Sequence, residues 1–240
     1  MNIIYSLCGN GQRFKDKGCN TIKYLIKYGN APMLYHSINT LGINGNLHFI
    51  VRDVHLKEYK FLEKFLLDLG GKITICYKET SGAAESLLLC ENDIENKDLP
   101  FISVNSDQYM NWDAKPFVKK LIENPDTSYI LTFNSTDPKC SYVRVLDNDV
   151  VEVREKLVIS NQATVGVYHW KTSKDFFIDA KQMINDNVRD NNEFYVAPVY
   201  NFTIKRNLIV KPYEINPDNF IPVGTPDDLL NFITQQRFFE

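Results

Sequence analysis

The stretch Ile3-Ile4-Tyr5-Ser6-Leu7-Cys8-Gly9-Asn10-Gly11-Gln12-Arg13-Phe14, with Lys23 ten residues past the arginine, decides how this chain is read. A short apolar run passes directly into a loop whose glycines stand two apart. Glycines let backbone N–H groups approach an anion with no side chain in the way, so the loop is a candidate phosphate cradle with Arg13 and Lys23 as its cations. The same residues also suit a tight turn leaving the first strand of an α/β sheet. Two other phosphate loops are excluded by spacing: no Gly-Lys-Ser/Thr follows at the required interval, and no third glycine stands three residues after Gly11.

Outward from that stretch, strands are expected at 3–7, 47–51, 73–77 and 101–105, alternating with helices. The helices are expected over 32–41, over 83–90, and along Leu56, Tyr59, Leu62, Phe65, Leu66 and Leu69 as one amphipathic helix stopped by Gly70-Gly71. This alternation predicts an α/β, Rossmann-like domain with a mostly parallel central sheet and helices on both faces. Ligands in such sheets lie at the carboxyl ends of the strands, where both the glycine loop and Asp107 fall. Further on, the pattern predicts a helix over 112–121 with Asp113 as its cap, and a strand over 129–133. A small β-hairpin follows, with strands 143–146 and 150–153 turning at Asp147-Asn148-Asp149. A strand over 163–170 crosses Gly166, then helices at 173–188 and 193–205, a strand at 209–210 and a last helix over 226–236. We read residues 1–240 as one domain, with 1–110 as a nucleotide-binding half and 111–240 as an acceptor-binding half.

Composition narrows the function classes. A chain of 240 residues, 44% hydrophobic, suits one sizeable core. With 27 basic against 30 acidic residues the net charge is −3, which argues against nucleic acid as a partner. The five cysteines lack any Cys-x-x-Cys spacing and the four histidines lack ligand spacing, so reduced thiols and no structural metal are expected. No apolar run approaches the roughly 20 residues of a membrane span, and no signal-peptide pattern opens the chain, so a cytoplasmic location without a membrane partner is expected. Phe238-Phe239, following Phe232 and Ile233, could pack on the domain or on a second subunit, which makes a homodimer one expectation.

Gly9-x-Gly11-x-Arg13-Phe14, then Lys23-Tyr24-Leu25-Ile26 and Pro32-Met33-Leu34, resembles the N-terminal signature of the nucleotidyltransferases that activate sugar phosphates and similar small phosphates. Ile22 stands where that pattern has a proline before the lysine, and Asn30-Ala31 precede Pro32. Ser106-Asp107-Gln108, Glu155-Lys156, Ala163-Thr164-Val165-Gly166-Val167-Tyr168, Asn192-Glu193-Phe194-Tyr195 and Val223-Gly224-Thr225-Pro226-Asp227-Asp228-Leu229 extend the resemblance along nearly the whole chain. They are similar to a subgroup from capsule and surface-polysaccharide loci with a GT-A-like fold.

The resemblance implies transfer of NMP from an NTP to a small phosphorylated acceptor, with release of pyrophosphate and Mg²⁺ as cofactor. It implies catalytic roles for Arg13 on the β/γ-phosphates, Lys23 on the α-phosphate and Asp107 as the metal ligand. Leu7, Gly9, Asn10, Gly11, Thr80, Ser81, Gly82, Ala83 and Ser106 would bind the nucleotide; Glu155, Lys156, Gly166 and Glu193 would bind the acceptor. Read from the residues alone, Asp107 at a strand end suits a hard cation held by one or two carboxylates plus phosphates, or an Asx turn. A second metal aspartate of the pattern is replaced by Pro222, and Thr225-Pro226-Asp227-Asp228 reads as a helix cap. CTP is favoured because the Gly82-Ala83-Ala84 step is compact. The acceptor stays open between sugar 1-phosphates and non-sugar phosphates such as phosphocholine, glycerol phosphate or a phosphorylated amino acid. Two other readings stand beside this one: a GT-A glycosyltransferase using a nucleotide sugar, and a nucleotide-binding regulator without catalysis.

Overall fold

The structure, a computed structural model, describes residues 1–236. In chain order the elements begin with β1 (Asn2–Leu7), α1 (Gln12–Lys15), β2 (Lys27–Tyr28), β3 (Ala31–Pro32), α2 (Met33–Leu41) and β4 (Asn46–Arg52). They continue with α3 (Asp53–Glu58), α4 (Leu62–Asp68), β5 (Lys72–Cys76), α5 (Ala83–Leu88), β6 (Phe101–Val104), β7 (Gln108–Met110) and α6 (Lys115–Glu123). The remainder comprises β8 (Ser128–Asn134), β9 (Tyr142–Leu146), β10 (Asp149–Arg154), β11 (Gln162–Trp170), α7 (Ser173–Asn185), α8 (Tyr200–Lys205), β12 (Val210–Glu214), β13 (Phe220–Pro222) and α9 (Pro226–Gln236).

Among the described residues nine strands form the central sheet, in the order β10-β9-β11-β6-β1-β4-β5, with β8 paired to β11 and β12 to β8. Strands β6, β1, β4 and β5 run parallel, while β11 is antiparallel to both β6 and β8. One sheet face packs on α5, α7 and α8 through Ala84, Leu87, Phe176, Phe177, Met183 and Tyr200. The other packs on α2, α4 and α6 through Leu34, Leu41, Leu62, Leu66, Phe117 and Leu121. Such two-sided cover is why β1 and β4 read as continuous apolar runs. Trp170 stacks on Tyr200 with ring centres 4.0 Å apart, and Phe101 on Phe176 at 4.1 Å, which anchors the first face.

Local signals explain most boundaries. Helix α2 follows Pro32 and stops at Gly42, whose φ of 66° is the left-handed cap expected of glycine. Thr172 caps α7, its Oγ1 accepting from the Asp175 N–H at 3.0 Å. The β9–β10 hairpin turns on Asp147 and Asn148, both with positive φ (50° and 68°), the geometry of a two-residue primed turn. The Asp147-Asn148-Asp149 triplet therefore has a local structural reason.

Four sequence expectations are corrected. The helix along 56–69 is two helices, α3 and α4, because the chain breaks at Tyr59, whose hydroxyl turns toward Ile22 N–H (3.4 Å) and Asn20 C=O (3.3 Å). The helix expected at 193–205 begins only with a 3-10 turn at Ala197–Val199 followed by α8. Phe194 instead lies against the 81–84 loop, donating to Ser81 C=O (2.8 Å) and accepting from Ala84 N–H (2.9 Å). Helix α6 starts later than expected because Trp112 leaves it to bond Leu41 C=O, while Asp113 accepts from Lys115 N–H. Strand β12 runs through Pro212 to Glu214 and pairs with β8 alone; an edge strand tolerates a proline. Phe232 is buried beside Phe14 and Tyr28, whereas Phe238 and Phe239 lie outside the described residues. No helix among the described residues is long and apolar enough to cross a membrane.

Candidate active site

A cleft of about 630 Å³ opens at the carboxyl ends of β1 and β6. Its walls include Leu7, Gly9, Arg13, Lys23, Ala83, Ser106, Asp107, Glu155 and Gly166, so the fold brings these nine sequence candidates together. They come from opposite halves of the chain.

On the wall built by the first third of the chain, β1 leads Leu7 and Gly9 to the cleft, and Arg13 follows on the single turn of α1. Gly11 has φ of 63°, and a Cβ there would lie 3.1 Å from Lys23 Cβ. Its missing side chain thus lets the lysine segment close against the loop. Lys23 opens a 3-10 turn held from behind by Tyr24 Oη and His55 Nδ1, 3.1 Å apart. Burial, with the nearby Arg52 charge, pulls His55 down to about 4, so its ring is neutral near pH 7.

Lys23 Nζ sits 2.5 Å from Asp107 Oδ2. Asp107 is fixed by its own backbone, its C=O accepting from Val223 N–H at 3.0 Å, while the β7–β13 ladder sets Pro222 opposite Gln108. A Cβ on Gly224 would come within 2.5 Å of Asp107 Oδ2 and 3.5 Å of Lys23 Nζ, so a side chain there would have to push the Asp107 carboxylate out of its present place in the ion pair. Among the described residues no three His, Cys, Asp or Glu side chains converge. The donor set for a metal is the Asp107 carboxylate facing open cleft, which fits Mg²⁺, an ion that takes one or two carboxylates and completes its shell with phosphates and water. Asp228, also on the wall, caps α9 with Thr225: Thr225 Oγ1 donates to Asp228 Oδ2 at 2.5 Å.

Seven candidates stand back from the cleft wall, and each has a structural role. Asn10 is exposed and bridges Glu79 (2.7 Å) and Arg52, tying the glycine loop to the ends of β4 and β5. Thr80 Oγ1 and Ser86 Oγ are 2.6 Å apart at the start of α5, and Ser81 N–H is capped by Glu85 at 2.5 Å. Gly82 has φ of 146°, and a Cβ there would strike the Phe194 main chain at 2.4 Å. Lys156 Nζ bonds Tyr195 Oη at 2.8 Å and lies 4.6 Å from that ring's centre. Glu193 is exposed in the turn that pairs with Asp190. Gly11 acts through Lys23, as above.

Across the cleft, Glu155 accepts from the Ser141 hydroxyl, and its side chain is only 8% exposed. Burial pushes its carboxyl above the usual range; Ser141 and Lys156 pull it back, while Asp190 and Glu193 add to the rise. Burial also pushes Cys140, on the same wall, up to about 11 and Cys8 up to about 12, so neither thiol is a nucleophile at neutral pH.

Sequence reasoning missed Gln108, Tyr195 and the segment Ser135, Asp137, Lys139, Cys140 and Ser141, all of which line the cleft. The turn-rich run Ser135-Thr136-Asp137-Pro138-Lys139 after β8 was a usable signal, since long polar loops at strand ends often carry binding residues.

No protein-family model matches the chain. It is 25% identical over 169 residues to a mannose-1-phosphate guanyltransferase of Candida albicans, covering 67% of this chain and 47% of that protein. The chain spans about half the length of the curated relatives it matches first. Among solved structures it resembles a nucleoside-diphosphate-sugar pyrophosphorylase from Vibrio cholerae RC9, with a TM-score of 0.84 and 22% identity over 98% of this chain and 100% of that one. It also resembles an inositol-1-phosphate CTP transferase from T. maritima, with a TM-score of 0.74 and 19% identity over 97% of this chain and 94% of that one. The proteins it resembles are thus named as nucleotidyltransferases and pyrophosphorylases of sugar or inositol phosphates, and the fold of these solved structures is its fold.

Proposed function

We propose that the chain transfers NMP from an NTP to a small phosphorylated acceptor and releases pyrophosphate. The observation that carries this reading is the Lys23–Asp107 pair packed under Gly224, beside Arg13 and the Gly9-x-Gly11 loop. An acceptor phosphate oxygen attacks the α-phosphorus, the bond from that phosphorus to the bridging oxygen breaks, and the electron pair leaves with pyrophosphate. Two anions must meet and a third must depart, so fixed cations at the phosphates supply most of the catalysis. Arg13 serves the β/γ side and Lys23 the α-phosphate. Asp107 would hold Mg²⁺, whose charge offsets the phosphates. Leu7, Gly9, Ala83 and Ser106 contact the nucleotide, and Glu155 with Gly166 forms the acceptor wall.

CTP is the nucleotide we favour, supported by the compact Gly82-Ala83-Ala84 step and by the T. maritima neighbour's name. We place the activity in the cytoplasm, where NTPs are plentiful, and in capsule or surface-polysaccharide synthesis. Leu230, exposed on α9, is the apolar side chain among the described residues that we expect to meet a second copy. The test is pyrophosphate release with Mg²⁺, screening CTP, dTTP, UTP, GTP and ATP against sugar and non-sugar phosphates. Release that requires one NTP and one acceptor together supports the reading. Consumption of a nucleotide sugar with no pyrophosphate released would replace it with a glycosyltransferase.

A further inference from the structure

Gln108 opens β7 directly after Asp107, lines the cleft, and is 1% exposed. Neither its Oε1 nor its Nε2 has a hydrogen-bond partner. A carboxamide brings two donor hydrogens and an acceptor oxygen, and burying all of them unpaired costs desolvation with nothing returned. Native proteins leave few such groups, and those at a binding cleft call for a partner from outside. The space around this amide is itself built. Gly166, with φ of 80°, faces it from β11, and a Cβ there would lie 2.9 Å from Gln108 Oε1 and 2.4 Å from Asn105 Nδ2.

Resting on the transferase reading above, we propose that Gln108 reads a hydroxyl of the acceptor, so that the acceptor is a sugar or polyol phosphate. A hydroxyl donates and accepts through a single oxygen, which matches a carboxamide that lacks both kinds of partner. A trimethylammonium group does neither and would leave the amide unpaired, while phosphate oxygens only accept. Glu155, on the same cleft, can accept from a second hydroxyl, which a polyhydroxylated molecule supplies and phosphocholine does not. Gln108 is therefore a specificity-determining residue beside the reacting phosphates.

The experiment compares the full-length wild type with Gln108→Met, which keeps the side chain's bulk and removes its polar atoms. The probes are glucose 1-phosphate, mannose 1-phosphate, glycerol 3-phosphate, their deoxy analogues and phosphocholine, followed both by calorimetric binding and by pyrophosphate release. Gln108→Met is expected to weaken binding of the hydroxylated acceptor about 10- to 100-fold with the NTP KM unchanged. Wild type is expected to discriminate against the deoxy analogue by a similar factor, and the variant to lose that discrimination. Without substrates the variant's Tm is expected to rise by about 2–4 °C, since an unpaired buried amide has gone.

A lower Tm with unchanged acceptor binding would overturn the proposal, because Gln108 would then be satisfied inside the protein. Efficient use of phosphocholine would overturn it too. Gln108-dependent binding of a hydroxylated phosphate without any pyrophosphate release would uphold this inference and sink the transferase reading. Pyrophosphate release indifferent to Gln108 would do the reverse, and no binding by any probe would sink both.

Discussion

The two walls of the cleft are built in different ways. The wall we propose for the nucleotide hangs on parallel strands β6, β1 and β4, and its charged groups come from short runs that follow strand ends: Arg13, Lys23 and Asp107. Glycines at 11 and 224 bring backbone against those charges. The wall we propose for the acceptor hangs on the antiparallel strands β9, β10 and β11, and its side chains arrive from separate segments: Ser141 holds Glu155, and Tyr195 bonds Lys156, which stands behind the wall. A wall of fixed charge suits phosphates, which differ little among substrates. One of hydrogen-bonding side chains in separate loops suits the variable partner.

If that division holds, damage to the first wall should cost turnover with any acceptor, and damage to the second should cost affinity for one acceptor. Asp107→Ala is expected to lower kcat about 10²- to 10³-fold, with the acceptor dissociation constant nearly unchanged, as read by steady-state kinetics and calorimetry. An equal loss from Glu155→Ala, with the same pattern, would break the comparison. Gly224→Ala drives a methyl into the Lys23–Asp107 pair and should cost about 10²-fold in kcat while the protein stays folded by circular dichroism. Wild-type kinetics in that variant would mean that the pair moves aside freely.

Glu155→Gln sharpens the second wall, with an expected rise of about 10-fold in acceptor KM and no change for the NTP. The raised carboxyl of Glu155 also sets a sign: as pH falls, it takes up a proton earlier than an exposed glutamate would. Acceptor KM of the wild type should therefore rise toward acid pH, and that of Glu155→Gln should not. The smallest effect concerns stability. His55, behind Lys23, is held at about 4, and His169, buried in β11, at about 3. Both folded values lie below the unfolded 6.5, so their stabilising effect is complete above pH 6.5 and is lost as pH falls toward 3–4. At pH 6 the loss relative to pH 7 is about 0.7 kcal/mol per histidine, measurable by urea unfolding and removed one step at a time in His55→Asn and His169→Phe.

Legibility in the sequence followed the same division. Apolar runs flanked by glycine and proline located β1, β4, β5, β6 and α2 within a residue or two, because each signal is local. The break between α3 and α4 was invisible, since an intact apolar period survives when both helices keep one face on the core. It is Tyr59's bonds to Asn20 and Ile22, distant in sequence, that turn the chain there. The close approach of Gly82 to the Phe194 main chain, more than a hundred residues away, was equally invisible.

What the sequence by itself determined is the α/β alternation, the glycine loop with its arginine and lysine, and the aspartate at a strand end, all set by backbone conformational preference and hydrophobic period over a few neighbours. Only the tertiary structure decided that Lys23 meets Asp107 beneath Gly224, that Ser141 holds Glu155, and that Gln108 is buried unpaired over Gly166. Those contacts join residues 14 or more positions apart, and their geometry is fixed by sheet register and close packing rather than by residue type along the chain.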